Sequence, residues 1–218
     1  LAFYSYAHVP WIKGNGQRGF NDEDIPKDDK KRMLYETGKK LLFENGYHEI
    51  GMDHFALKTD TLYDAFENGT LHRNFMGYSS SKTKLMIGLG VSSISDSWYS
   101  FAQNVKSLEE YYQLLEQNKL PVYRGHLLTD EDLIIRKHIL NLMCQFETSW
   151  KNQEAYFEEI PEVLNQLKEM ENDGLLIIKE NSIAVTEKGK PYVRNICMAF
   201  DLRLKRKAPE TELFSMTI

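Results

Sequence analysis

The sequence predicts an α/β chain in two parts: a front that reads strand, helix, strand, and a mostly helical, winged-helix-like back. Three observations predict it. An apolar run at residues 2–9 and a second strand at about His48 to Phe55 flank a stretch of helical spacing. Beyond Thr129, apolar stripes of 3.6-residue period are interrupted by one pair of short β-branched runs. A composition of 42% hydrophobic and 27% charged over 218 residues suits a globular chain able to bury a core. The boundary between the parts is expected at residues 105 and 106.

Residues 2–9 read as a buried strand, and Gly14-Asn15-Gly16 with Asn21 to Asp24 as a turn-rich loop. Pro26 opens a helix with Asp28 and Asp29 in its first turn, where carboxylates favour the positive end of the dipole. Met33, Leu34, Thr37, Leu41 and Leu42 form its stripe, and Asn45-Gly46 closes it. A strand over about His48 to Phe55 then completes a βαβ unit, which implies a parallel pair with a right-handed crossover. Between Asp60 and Gln103 the apolar runs are short. Gly88 and Gly90 interrupt Leu85 to Val91, which suits a backbone that approaches something closely, a ligand or a crowded neighbour.

Leu108, Tyr111, Tyr112 and Leu115 share a helix face, and Pro121 to Leu128 is extended. Thr129-Asp130-Glu131-Asp132 has capping-box spacing ahead of the stripe Ile135, Ile139, Leu142, Met143 and Phe146. A further helix carries Val163, Leu164, Leu167 and Met170 and stops at Gly174. Leu175 to Ile178 and Ile183 to Val185 make a hairpin, and Thr186 caps a last helix bearing Val193, Ile196, Cys197 and Phe200.

A net charge of -5 argues against a dedicated nucleic-acid binder. The local exception is Lys188, Lys190, Arg194, Arg203, Lys205, Arg206 and Lys207, a cluster a phosphate backbone could use, opposed by Glu158, Glu159, Glu162, Glu169 and Glu171 on the preceding helix. No run approaches the roughly 18 apolar residues of a membrane span, which points to a cytoplasmic protein without membrane contact. Cys144 and Cys197 sit in apolar helical surroundings and read as inert thiols. His8, Asp53-His54 and His72-Arg73 could converge at strand ends, and the Arg73 fork suits a substrate carboxylate.

Four runs carry a resemblance through nearly the whole chain: Tyr6-Ala7-His8-Val9-Pro10, Gly51-Met52-Asp53-His54-Phe55-Ala56, Leu71-His72-Arg73-Asn74-Phe75-Met76-Gly77-Tyr78, and Arg194-Asn195-Ile196-Cys197-Met198-Ala199-Phe200-Asp201. Together they resemble the oxygen-independent coproporphyrinogen III oxidases, radical S-adenosylmethionine (SAM) enzymes of haem biosynthesis. The resemblance implies the last part of a (βα)6 radical-SAM barrel followed by a winged-helix-like carboxy-terminal domain. It also implies a [4Fe-4S] cluster, two SAM molecules, and coproporphyrinogen III as substrate. A SAM-derived radical would turn two propionates into vinyls with loss of carbon dioxide, giving protoporphyrinogen IX.

The family's C-x-x-x-C-x-x-C cluster motif does not occur in this chain, so these residues are expected to correspond to the carboxy-terminal half of such an enzyme and to be inactive alone. The resemblance places Ala7, Phe75 and Met76 against the second SAM and Ile94 against the cluster-bound one. Met76 stands at the variable position of the Asn-Phe-x-Gly-Tyr motif, glutamine in one enzyme of the family, and a thioether cannot donate that amide's hydrogen bond. A related haem-chaperone-like protein and an independent winged-helix regulator are the competing readings. An open parallel strand edge at residues 2–9 would favour self-association of this chain, whereas a full-length enzyme would be a monomer.

Overall fold

In the computed structural model, which describes residues 1–6, 8, 19 and 21–207, the first contact of the fold is aromatic. Phe3 stacks on Tyr35 of α1 (Asp28–Glu44) with ring centroids 5.6 Å apart, and its ring fills the space a side chain on Gly38 would need. This contact selects the helix face that turns inward. Tyr35, Gly38 and Lys39 face the sheet, where Lys39 meets Glu49 at 2.7 Å, while the expected stripe residues Met33, Leu34 and Leu41 are exposed. The last turn closes as expected, with the Asn45 amide on the Leu41 and Leu42 carbonyls and Gly46 at φ 80°.

The expected strand over His48 to Phe55 is instead a hairpin, β1 (Tyr47–Gly51) and β2 (His54–Leu57), antiparallel with Tyr47 opposite Leu57 and Gly51 opposite His54. Asp53 takes φ 58°, a left-handed conformation that Asp tolerates, and this reverses the chain. Among the described residues the anticipated parallel pair is absent. Residues 1–3 pair antiparallel with β2, Ala2 bridging His54 and the Leu1 carbonyl accepting the Phe55 amide at 2.8 Å, so β2 separates the front segment from β1. Leu1, Tyr4 and Tyr6 are exposed rather than buried. The expectations for residues 7, 9–18 and 20 lie outside the described residues.

α2 (Thr61–Glu67) is capped by the Asp60 carboxylate, which accepts the Leu62 amide at 2.8 Å. Ala65 and Leu71 pack with Ile50, Ala56 and Cys144 in a small core. A second hairpin, β3 (His72–Asn74) and β4 (Gly77–Ser79), follows. Next comes a three-stranded antiparallel sheet in the order β5 (Ile94–Asp96), β6 (Ser100–Asn104), β7 (Val122–Leu127), with α3 (Leu108–Glu116) between its last two strands. Gly88 lies against Ile94: a side chain there would meet the Ile94 carbonyl oxygen at 2.8 Å. The glycine relieves crowding between neighbours, and the close approach is to protein.

The back half follows the expected order with one strand and one short helix more. α4 (Asp130–Gln145) starts with the full capping box between Thr129 and Asp132, and Phe146 at φ 58° turns the chain into β8 (Glu147–Ser149). A 3-10 turn, Gln153–Ala155, leads to α5 (Ile160–Asn172), which stops before Gly174 at φ 73°. β9 (Leu176–Lys179) and β10 (Ser182–Val185) form the hairpin, and β10 also pairs with β8, giving the order β8-β10-β9. Thr186 caps a 3-10 turn, Glu187–Tyr192, that runs into α6 (Val193–Phe200) and then α7 (Leu202–Lys207). The main core lies among α4, α5, α6 and this sheet, built on Leu142, Val163, Leu167, Ile183, Val193, Ile196 and Phe200.

Within that core His138 is fully buried. Its ring nitrogens lie 2.7 Å from Thr148 Oγ1 and 2.7 Å from the Ala155 carbonyl, and its ring stacks on Phe200. The carbonyl can only accept, so the neutral tautomer donates there and accepts from Thr148. Burial lowers the His138 pKa.

Candidate functional site

The Asn74-Phe75-Met76-Gly77-Tyr78 run folds as the β3-β4 hairpin tip, and each residue has a geometric task. Asn74 Oδ1 accepts the Met76 amide at 2.8 Å, and Gly77 takes φ 124°, open to glycine. Phe75 and Met76 are thereby held outward at the tip, 56% and 85% exposed. Tyr78 turns inward. Its hydroxyl donates to the Met143 carbonyl at 2.8 Å and accepts the Met52 amide at 3.1 Å, tying the hairpin to α4 and to the β1-β2 turn. Its ring end occupies the space a side chain on Gly51 would fill. Burial first raises the Tyr78 pKa, to about 12, so the phenol stays protonated.

Arg73, directly opposite Tyr78 across the hairpin, lays its guanidinium 4.8 Å over the Tyr78 ring. His54 meets that ring edge-on at 4.8 Å, and its Nδ1 lies 2.9 Å from the Met52 carbonyl. Asp53 accepts from the Tyr35 hydroxyl at 3.1 Å, and burial raises its pKa against the Tyr35 hydrogen bond and the His54, Arg73 and Arg194 charges. Asp53, His54 and Arg73 do converge, around Tyr78. His72 points the other way: it is buried near Trp98, and burial, then Lys82 and Arg136, lower its pKa.

A cleft of about 660 Å³ opens beside this hairpin. Its floor is apolar, from Met52, Ile135, Ile139, Leu140 and Met143, and four arginines, Arg73, Arg136, Arg194 and Arg203, line it. Two of these are held by carboxylates. Arg136 on α4 reaches Asp96 at 2.6 Å and the Trp98 carbonyl at 2.9 Å, with its guanidinium over the Trp98 and Phe101 rings. Arg203 on α7 grips Asp132 through Nε at 2.5 Å and a second nitrogen at 2.7 Å. That pairing, with the Thr129 hydrogen bonds, holds the Asp132 carboxyl far below the usual carboxylate range. Trp98 itself sits at φ 67°, uncommon for a bulky residue, and is fixed by its amide bond to Asp96 Oδ1.

Of the sequence-predicted contact residues, Phe75 lines the cleft and meets Phe101 edge-on at 5.2 Å. Met76 is its neighbour at the tip. Ile94 is half-buried in β5, paired with Gln103, two residues before the cleft-lining Asp96 and so on the same strand face. Ala7 lies outside the described residues. Arg136, Asp96, Trp98, Phe101 and Asp132 were not singled out as site residues. Their link is tertiary, since Arg136 and Asp96 are 40 positions apart, and the only local signal was the capping box around Asp132.

The donor set is informative about cofactors. Burial pushes the Cys144 and Cys197 thiols up to about 12, and among the described residues no three His, Cys, Asp or Glu side chains gather to hold a metal. A [4Fe-4S] cluster takes thiolate ligands, so these two buried thiols do not fit it. The basic cluster near the carboxy-terminal end is largely engaged within the fold. Arg206 pairs with Glu131 and Glu159, Lys190 with Glu187, and Lys188 donates to the Asp173 carbonyl. No helix among the described residues is long and apolar enough to cross a membrane.

No family model matches the chain. Similarity to individual proteins is extensive. Oxygen-independent coproporphyrinogen III oxidase of Escherichia coli strain K12 is 38% identical over 213 residues, 95% of this chain and 46% of that protein. The Synechocystis protein of the same name is 34% identical over 227 residues, 100% of this chain and 48% of its own. A solved structure of the Escherichia coli coproporphyrinogen III oxidase HemN, described as a radical SAM enzyme, superposes with a TM-score of 0.85 at 38% identity, covering 91% of this chain and 47% of that one. The chain spans about half the length of the curated relatives it matches, and it is a homologue of the oxygen-independent coproporphyrinogen III oxidases.

Proposed function

We propose that this chain forms the carboxy-terminal part of a cytoplasmic coproporphyrinogen III oxidase and supplies one wall of its substrate and SAM site. The observation that carries this reading is the cleft, an apolar floor under arginines beside the Phe75-Met76 tip. A tetrapyrrole with propionate arms needs that combination of apolar surface for its rings and fixed cations for its carboxylates. In this reading Phe75 and Met76 offer exposed apolar surface to the second SAM, Ile94 packs on the cluster-bound one, and Ala7 borders the second. When bound, SAM, together with a cluster held by residues other than these, would supply the radical chemistry at a propionate arm. The chain's own residues position that arm, exclude water over the apolar floor, and leave the chemistry to the cofactors.

Genetic replacement tests it. This chain is joined to the front half of the Escherichia coli relative and placed in a strain lacking its own coproporphyrinogen oxidases. Anaerobic growth without added haem is the expected outcome. A joined protein that accumulates normally, restores no growth and binds haem stoichiometrically would favour the haem-chaperone reading instead.

A further inference from the structure

Among the four cleft arginines, Arg73 stands apart in how it is held. Arg136 and Arg203 each sit on a buried carboxylate, and those pairs fasten α4 to the β5-β6 turn and to α7. Arg73 makes no ion pair with a described carboxylate; its fork rests on the Tyr78 ring, and Tyr78 is pinned at both sides of its hydroxyl. The nearby carboxylate, Asp53, accepts from Tyr35. A guanidinium held over an aromatic face that also lines a cleft is preorganised for a planar anion, since little side-chain freedom is lost on binding. Arg194 faces the same cleft from α6 and adds positive field.

We infer that Arg73 is the carboxylate anchor of this cleft, receiving a ligand carboxylate on its stacked fork next to Phe75. The inference rests on the functional reading above and adds the group that recognises the ligand. A carboxylate of this kind has two sources, a propionate arm of the tetrapyrrole or the amino-acid end of SAM. Arg136 and Arg203 are positioning residues in this arrangement.

The test is equilibrium binding to the purified chain. The probes are coproporphyrin III, followed by its fluorescence anisotropy, its tetramethyl ester, which lacks the carboxylates, and SAM, followed by calorimetry. Arg73→Gln is expected to weaken one carboxylate-bearing ligand about 10- to 100-fold, the loss of a charge-assisted hydrogen-bonded pair. Ester binding should be unchanged, and Arg73→Lys should recover part of the affinity. Loss confined to coproporphyrin III assigns the anchor to a propionate, and loss confined to SAM assigns it to the amino acid. An exposed substitution, Lys119→Gln, controls for overall charge, and an unchanged far-ultraviolet spectrum and melting midpoint for Arg73→Gln show that it folds. If the native chain binds these ligands and Arg73→Gln binds them equally well, the anchor is overturned while the cleft reading stands. If the native chain binds none of them, both fall.

Discussion

At the scale of single residues, the Asn-Phe-x-Gly-Tyr run shows why a short motif can be stringent. Asn74 and Gly77 set the turn, Tyr78 is the bolt, and Gly51 is the socket. Gly51→Ala is therefore expected to push Tyr78 out of its seat and cost about 1–3 kcal/mol, the usual range for overpacking, read as a lowered urea midpoint at unchanged slope. Phe75 and Met76 are exposed at the hairpin tip and contribute little burial to stability. Met76→Gln should leave the unfolding free energy, read by urea titration, within about 0.5 kcal/mol of the native chain, because the side chain is 85% exposed. The expectation of inert thiols agrees with the burial of Cys144 and Cys197. In the native chain neither should react with a disulfide reagent at pH 8, and both should react in urea. His54 and Arg73 were legible as candidates, yet their meeting on Tyr78 was not, because cross-strand and long-range placement leave no spacing signature.

At the scale of elements, local chemistry was legible wherever it was self-contained. The α4 capping box, the Gly174 stop and the β9-β10 hairpin each depend on residues within a few positions, and each is present. Elements whose fate is decided at a distance were misread. The stretch from His48 to Phe55 was read as one strand, while a left-handed Asp53 makes it two. The inward face of α1 was set by Phe3, from another segment. β8 was missed because three residues are too few for a period. Thr129→Ala should cost roughly 1 kcal/mol by removing the cap of α4. The same end of α4 makes the fold sensitive to acid. Asp132 and Glu131 are held below their ordinary pKa values by Arg203 and Arg206, and burial holds His138 below 6.5. At these groups the unfolded chain thus binds more protons than the folded one in acid. Stability from these groups is complete above the unfolded pKa values and is lost as pH falls, first below about 6.5 for His138 and then below about 4 for the carboxylates. Melting midpoints between pH 8 and 3 should fall in that order, and His138→Gln should flatten the upper part of the curve.

At the scale of the whole molecule, the chain exposes apolar surface that a solvated domain ordinarily covers. β7 is an edge strand exposed along its length, with Tyr123 and Leu127 outward, and α1 exposes Met33, Leu34 and Leu41. Such an edge favours pairing with another chain, so the purified chain should show concentration-dependent association by light scattering, reduced by a lysine placed at Tyr123. The kinship with coproporphyrinogen III oxidases was legible in the sequence through four motif runs, and the fold superposes on a solved member at a TM-score of 0.85. The cleft was not legible, because its walls come from β3, β5, β6, β7, α4, α6 and α7 and only the fold brings them together. The most direct test is to join this chain to the front half of the Escherichia coli relative, load it anaerobically with cluster, SAM, a one-electron reductant and an electron acceptor, and count the carbon dioxide released from coproporphyrinogen III. The account predicts two carbon dioxides and two vinyl groups per substrate. A joined protein that cleaves SAM yet releases none from coproporphyrinogen III would contradict it.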